Sequence, residues 1–149
     1  MNLEILPFKQ EYVNSLLKIF DQNVPEYFDQ SERDDFAHYL KEETELYYVA
    51  TLEGEIVGCG GINYAKSDKN AAVISWDMIA PQHHGIGIGK QLLLDRIDML
   101  KKQEGINKII VRTSQHTYIF YQKMGFELLY TKKDYWAPGI DLYNMEMNI

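Results

Sequence analysis

Three glycines alternate in the segment Pro81-Gln82-His83-His84-Gly85-Ile86-Gly87-Ile88-Gly89-Lys90, which joins a β-forming apolar run to the longest amphipathic stretch of the chain. A strand that passes into a helix through such a turn leaves the first helical amides without partners, beside the positive end of the helix dipole. That combination is an anion site. Glycine suits it because a backbone that wraps an anion needs dihedrals closed to other residues and no side chains in the way. A turn with no ligand has no use for three glycines that each lose extra chain entropy on folding. An anion is therefore expected here, against the backbone of His84, Gly85, Ile86, Gly87, Ile88 and Gly89, with Lys90 as a nearby cation.

Three glycine-rich anion sites compete for this segment. A Walker loop has four residues between its first glycine and the Gly-Lys pair, then Ser or Thr; here Gly85 precedes Gly89 by too little and Gln91 follows Lys90. A dinucleotide fingerprint spaces its glycines G-x-G-x-x-G in a first βαβ unit with an acid about 20 residues on. This chain has G-x-G-x-G, deep in the sequence and after antiparallel strands. A pyrophosphate-binding turn ahead of an amphipathic helix fits without adjustment.

The rest of the chain supplies a frame for that turn. Residues 3 to 7 are predicted as a strand and 10 to 22 as a helix, with Val13, Leu16, Leu17 and Phe20 on one face. A second helix is predicted from Ser31, capped with Asp34, carrying Phe36, Tyr39 and Leu40 inward. Runs over 46–52, 55–64 and 71–79 are predicted strands, the first two joined by a tight turn at Glu53-Gly54. The helix after the glycines is expected from Ile88 to Glu104, with Leu92, Leu93, Ile97 and Leu100 as its buried stripe. A strand over 108–112, a short helix over 117–124 capped by Gly125, and strands over 126–136 and 142–149 around a Pro138-Gly139 turn complete the order. Two helices, antiparallel strands, then a helix between strands predict an α/β (α+β) fold, a central mostly antiparallel mixed sheet with helices on both faces.

No repeat, linker or low-complexity tract interrupts this order, so residues 1–149 read as one domain of ordinary size, with 46% hydrophobic residues for a core. The single cysteine, Cys59, has no partner for a disulfide, and no Cys/His spacing marks a metal site. No apolar stretch approaches the roughly 20 residues that span a bilayer, and the N-terminus lacks a signal-peptide pattern. A cytoplasmic location away from membranes is expected. A net charge of −7 argues against nucleic acid as a partner. Its distribution is uneven, with 13 Asp/Glu against 4 Lys/Arg in residues 1 to 60, and 9 against 11 thereafter.

With these features in place, the chain resembles the GNAT superfamily of acyl-CoA N-acyltransferases. That family's signature, Arg or Gln, two residues, Gly, one residue, then Gly or Ala, maps onto His84, Gly87 and Gly89, with Leu92-Leu93 following. His84 departs from the usual Arg or Gln, although Gln82, Gly85 and Gly87 satisfy the pattern in a shifted register. A second block, Phe120-Tyr121-Gln122-Lys123-Met124-Gly125-Phe126, resembles the family's Phe-Tyr-x-Lys-x-Gly-Phe element and stands at the expected distance after one intervening strand.

The resemblance implies an N-acetyltransferase that uses acetyl-CoA as cosubstrate and no metal, with a primary amine attacking directly in a ternary complex. The alternative is a catalytically silent CoA-binding module of the same fold. The family's strand before the turn offers main-chain groups to the pantetheine arm and thioester, which points to Met78 and Ile79. Tyr121 matches the family tyrosine that protonates the CoA thiolate; a phenol is a reasonable donor to a thiol-like leaving group. A carboxylate on the strand before the turn serves many members as base. Alternation along Val73, Ser75 and Asp77 would give these side chains one face, and Asp77 is the one acid there, so it is the candidate general base, with pairing to an Arg as the competing structural reading. His116 or a water relay is the other route. Nine acids between residues 21 and 45, with Tyr27, Phe28, Tyr39, Tyr135 and Trp136 as walls, point to a small cationic acceptor. Trp136 and Tyr143 suit a homodimer interface or the core equally.

Overall fold

Turn residues stop the apolar runs over 46–52, 55–64 and 71–79 where the sequence predicts. Residues 2–149 are described in the structure, a computed structural model. β1 (Leu3–Pro7) leads through a 3-10 turn to α1 (Val13–Gln22), and α2 (Arg33–His38) continues as a single π turn over Tyr39–Glu43. β2 (Leu46–Leu52) folds back on β3 (Glu55–Tyr64) through Glu53 and Gly54, both in left-handed backbone. β4 (Ala71–Ile79), α3 (Ile88–Lys101), β5 (Lys108–Thr113), α4 (Tyr118–Lys123), β6 (Glu127–Ala137) and β7 (Ile140–Asn148) follow.

The predicted start of the second helix is corrected. Asp29, not Ser31, caps it: the Asp29 carboxylate accepts from the Ser31 amide at 3.0 Å, and Glu32, not Asp34, returns the bond by accepting from the Asp29 amide at 2.9 Å. The Ser31 hydroxyl itself donates to Asp29 at 2.6 Å. α3 also ends three residues before the predicted Glu104, at Lys101, and the chain turns at Gly105 with φ 91.

The seven strands form one mixed sheet in the order β1-β2-β3-β4-β5-β7-β6. Every neighbouring pair is antiparallel except β4 and β5, which are parallel and so require the crossover that α3 provides. One face carries α1, α2 and the π turn that follows, whose Leu16, Phe20, Phe36 and Leu40 are buried against Val49, Cys59 and Met78. The other carries α3 and α4, where Leu93, Ile97 and Tyr121 pack with Ile62, Ile74 and Ile109. Helices on both faces bear out the sequence-based fold. No helix among the described residues is long and apolar enough to cross a membrane.

The sheet is interrupted beside the glycine turn. β4 and β5 pair only where Ala71, Ala72 and Val73 meet Lys108, Ile109 and Ile110. Beyond Val73 the two strands part, and the edge of β4 that leads to the turn has no β5 partner.

Candidate active site

The glycine turn begins where β4 ends. After a 3-10 turn over Pro81–His83, Gly85 and Gly87 take φ values of 79° and 93°, and Gly87 is the N-cap of α3. These are left-handed conformations that an L side chain reaches only under strain. Among the described residues, the amides of Gly85, Ile86 and Gly87 donate to no protein group, and Gly87 has no side chain with which to cap the first turn of α3. The unsatisfied donors and the positive end of the helix dipole therefore meet at the turn, and exposed Lys90 lies in the first turn of α3. Gly89 lies inside the helix, where an added Cβ would stand 3.7 Å from Ile79 Cγ1 and 3.8 Å from Phe120 Cζ, so the end of β4, the start of α3 and α4 meet here. Free amides at a helix start are a geometry that suits an anion such as a pyrophosphate.

His84 behaves differently from the expected cofactor donor. Its Nε2 lies 2.8 Å from the Ile79 carbonyl oxygen, which also accepts from Asn23 Nδ2 at 3.1 Å. The ring thus closes back on its own chain, and the Ile79 carbonyl, expected to serve the pantetheine arm, already has two donors. Met78 keeps a buried side chain against the α1–α2 face.

The predicted shared face of Val73, Ser75 and Asp77 is overturned. Trp76 has φ 46°, and the pairing of β3 with β4 slips between Cys59 and Gly61, so β4 carries a bulge. Ser75 and Trp76 consequently both face α1 and α2. Ser75 Oγ donates to Asn63 Oδ1, which also accepts from Tyr39, while Trp76 packs 5.0 Å from Phe36 and 6.0 Å from Phe28. The Tyr47 hydroxyl donates to the Trp76 carbonyl at 2.7 Å and holds the bulge from the same side. Asp77 is turned to the opposite face, toward α3 and α4.

There Asp77 meets two donors. Arg96, on α3, forms a forked pair with it, Nη1 to Oδ1 at 2.6 Å and Nη2 to Oδ2 at 3.0 Å. The Tyr121 hydroxyl donates to the same Oδ2 at 2.8 Å. The two predicted catalytic residues are therefore brought into direct contact, in the part of β4 that has left β5. Burial, and then the neighbouring Asp77 carboxylate, push the Tyr121 phenol well above its ordinary pKa, so it holds its proton through neutral pH. Burial is the largest influence on the Arg96 pKa and lowers it, but the Asp77 charge and the hydrogen bonds to Asp77, with the nearby Tyr121 and Tyr47, together outweigh it, and the guanidinium stays charged.

Arg96 is not among the site residues expected from sequence. Its signal is an arginine in register with Leu92, Leu93, Ile97 and Leu100, on the stripe that faces the core. A charged residue at such a position requires a buried partner.

Above the parting of β4 and β5, three loops bring aromatic rings together. Tyr27, between α1 and α2, stands edge-on to His84 at 5.2 Å and to His116 at 6.3 Å. His116 is exposed, in the loop from β5 to α4. The β6–β7 hairpin is pinned to the same loop: Trp136 Nε1 donates to the Thr113 carbonyl at 3.0 Å, and Gln115 bonds Gly139 and Asp141. Tyr135 accepts from Arg112 at 2.8 Å. Of the expected acceptor walls, Phe28 and Tyr39 are corrected to core packing around Trp76, and Tyr27 remains at the mouth. Part of the acidic segment is engaged locally: Asp21 pairs with Arg33 at 2.8 Å, Asp29 and Glu32 form the cap, and Glu45 accepts from Asn63 at 3.0 Å. No group of three or more His, Cys, Asp or Glu among the described residues is arranged to hold a metal.

Comparison with known proteins places this geometry. Residues 15–149 match the family model described as an acetyltransferase (GNAT) domain. An N-alpha-acetyltransferase of Sulfolobus acidocaldarius is 29% identical over 137 residues, covering 83% of this chain and 77% of that protein. N-alpha-acetyltransferase 50 of Danio rerio is 30% identical over 114 residues, covering 73% of this chain and 67% of its own. The ribosomal-protein-S18-alanine N-acetyltransferase of Escherichia coli has the same fold, with a TM-score of 0.81 at 17% identity over 99% of this chain and 94% of that one. A Salmonella typhimurium protein solved with its cofactor acetyl-CoA superimposes with a TM-score of 0.76 at 14% identity, over 99% and 94% of the two chains. The chain belongs to the GNAT family of acetyltransferases and is an acyl-CoA-dependent N-acetyltransferase.

Proposed function

We propose that this enzyme acetylates the α-amino group of a polypeptide N-terminus, by direct attack of the amine in a ternary complex with acetyl-CoA. The observation that carries the reading is the parting of β4 and β5 between the unpaired amides of the glycine turn and the Tyr121 hydroxyl. The thioester of acetyl-CoA supplies the activated acetyl group. The amides of Gly85, Ile86, Gly87, Ile88 and Gly89, with Lys90, hold the pyrophosphate, and the free edge of β4 near Met78 and Ile79 lies along the pantetheine arm. Tyr121 keeps its proton until the carbon–sulfur bond breaks and then gives it to the sulfur.

Asp77 is assigned a different part from the base expected of it. Its oxygens already accept three hydrogen bonds from Arg96 and Tyr121, so an incoming amine finds little open lone pair there to take its proton. His116 is the better placed acceptor of the amine proton, because its imidazole is exposed beside Tyr27 and has a ring nitrogen that can accept a proton. The name N-alpha-acetyltransferase, carried by the two relatives named above, supports an α-amine as acceptor. The local engagement of Asp21, Asp29, Glu32 and Glu45 leaves fewer of the nine acids of residues 21 to 45 to face a polyamine.

The test is titration calorimetry with acetyl-CoA, followed by thiol release over peptides that differ in their first residue and over polyamines, amino acids and aminoglycosides. Turnover of peptides dependent on a free N-terminus is the expected result. Turnover of polyamines alone would restore the small cationic acceptor, and binding without any turnover would identify a silent CoA-binding module.

A further inference from the structure

We propose that Arg96 is a positioning residue for acetyl transfer: through Asp77 it fixes the Tyr121 hydroxyl and faces the charge left on that oxygen when its proton goes to the departing sulfur. The proposal rests on Tyr121 being the proton donor.

The geometry carries it in three steps. First, Arg96 is anchored independently of Tyr121. Its side chain is 2% exposed, Nε donates to the Leu92 carbonyl at 3.1 Å, and Nη1 donates to the Gly61 carbonyl at 2.8 Å as well as to Asp77. These contacts tie α3 to β3 and leave the fork one orientation. Second, that fork fixes Asp77, whose side chain is only 18% exposed and whose Oδ2 receives both Arg96 Nη2 and Tyr121. The phenol direction is therefore set by a carboxylate that cannot rotate. Third, space has been kept for the pair. A Cβ on Gly60 would lie 2.2 Å from Asp77 Oδ1 and 3.1 Å from both Arg96 Nη atoms.

A buried ion pair is a poor route to stability, since apolar residues of similar volume usually do as well or better. Its electrostatic effect on Tyr121 is more specific. An unpaired Asp77 would oppose the negative oxygen formed when Tyr121 gives up its proton. The Arg96 guanidinium offsets that carboxylate, so proton transfer to sulfur leaves a phenolate beside a nearly neutral pair rather than beside a bare anion. The proton count closes when the surplus proton of the acylated amine leaves through the mouth and solvent reprotonates the phenolate.

A double-mutant cycle tests this. The D77N/R96Q variant keeps amide donors and acceptors of similar size but removes both charges, and Tyr121→Phe removes the donor. Tyr121→Phe is expected to lower kcat by about 100-fold, the usual scale for a general acid. D77N/R96Q is expected to lower kcat by about tenfold or more, with calorimetric affinity for acetyl-CoA unchanged within about twofold. In the Tyr121→Phe background the same pair of changes should cost nothing further, because there is no hydroxyl left to position. An equal loss in both backgrounds would reduce Arg96 and Asp77 to structural residues and overturn the proposal. Wild-type turnover by Tyr121→Phe would instead sink the reading of Tyr121 itself. Arg96→Lys, which keeps charge but loses the fork, gives the same decision if the double change does not fold: a kcat loss confined to the background with Tyr121 supports positioning, and one present in both refutes it.

Discussion

Replacing Gly60 with alanine puts a methyl group where the Arg96–Asp77 pair sits. The new Cβ would be 2.2 Å from Asp77 Oδ1, so that oxygen must retreat by about 1 Å to reach ordinary contact. It has no slack, because Arg96 Nη1 holds it at 2.6 Å and is itself bonded to the Gly61 carbonyl at 2.8 Å. Overpacking of this kind costs about 1–3 kcal/mol, and separating a buried pair costs about 3–5 kcal/mol. Because β3 can twist to relieve part of the clash, the expected loss is about 3 kcal/mol. In a chain of 149 residues, that corresponds to a fall in Tm of roughly 6–12 °C, at about 2–4 °C per kcal/mol. Gly89→Ala is the control, because its Cβ meets nothing closer than 3.7 Å and alanine gains helix propensity of up to about 1 kcal/mol. Thermal unfolding followed by circular dichroism gives both numbers. A Gly60→Ala protein that melts within about 2 °C of the wild type, less than the shift expected for 1 kcal/mol, would mean that the pair relocates freely, and the account of its rigidity would fail.

The glycine turn and the buried phenols and thiol make two further outcomes testable. Gly87→Ala meets no steric neighbour but forces a side chain to φ 93°; with strain of about 1–2 kcal/mol, calorimetry should show acetyl-CoA binding about tenfold weaker, and unchanged affinity would remove the turn from the binding site. Alkaline stability should also decline, because burial pushes Tyr39, Tyr47 and Tyr121 upward and takes the Cys59 thiol from its ordinary 9.0 to about 12. Folded pKa values above unfolded ones give stability that is complete below the unfolded values and disappears as pH rises toward the folded ones. For Cys59 that window runs from pH 9 to about 12, each group contributing up to about 1.4 kcal/mol per pH unit. Tm should therefore fall steadily above about pH 9, and a flat profile to about pH 11 would contradict the burial of these groups.

Much of the fold could be read from punctuation. The bounds of β2, β3 and β4 are those predicted, because Glu53-Gly54 and the polar loop after Tyr64 leave no alternative place to turn. The helix cap is harder to read because two overlapping patterns compete: Asp29 with Glu32 forms the reciprocal cap, while Ser31 serves Asp29 rather than the helix. Propensity cannot separate neighbouring cap registers when both carry suitable side chains. The glycine turn is legible for a stronger reason, since φ values of 79° and 93° admit little but glycine, and the sequence therefore has to show it.

The site floor is hidden by the bulge. Period-two reasoning assumes an unbroken strand, and nothing in Ser75-Trp76-Asp77 announces a left-handed residue, since tryptophan is a poor candidate for φ 46°. The trace lies in two other segments. Gly60-Gly61 removes side chains from the middle of an apolar strand, which marks a bulge or a close approach, and Arg96 interrupts the buried stripe of α3. Each alone has an ordinary explanation. Taken with the single acid on β4, they fit one geometry: a buried arginine needs a carboxylate, the carboxylate must cross to the face of α3, and the facing strand must leave room for it. The same bulge that defeats alternation is what brings Asp77 to Arg96 and Tyr121, so an isolated acid one residue out of phase in a strand, opposite paired glycines and a helix with a charged core position, is a pattern by which such a floor can be sought in other chains.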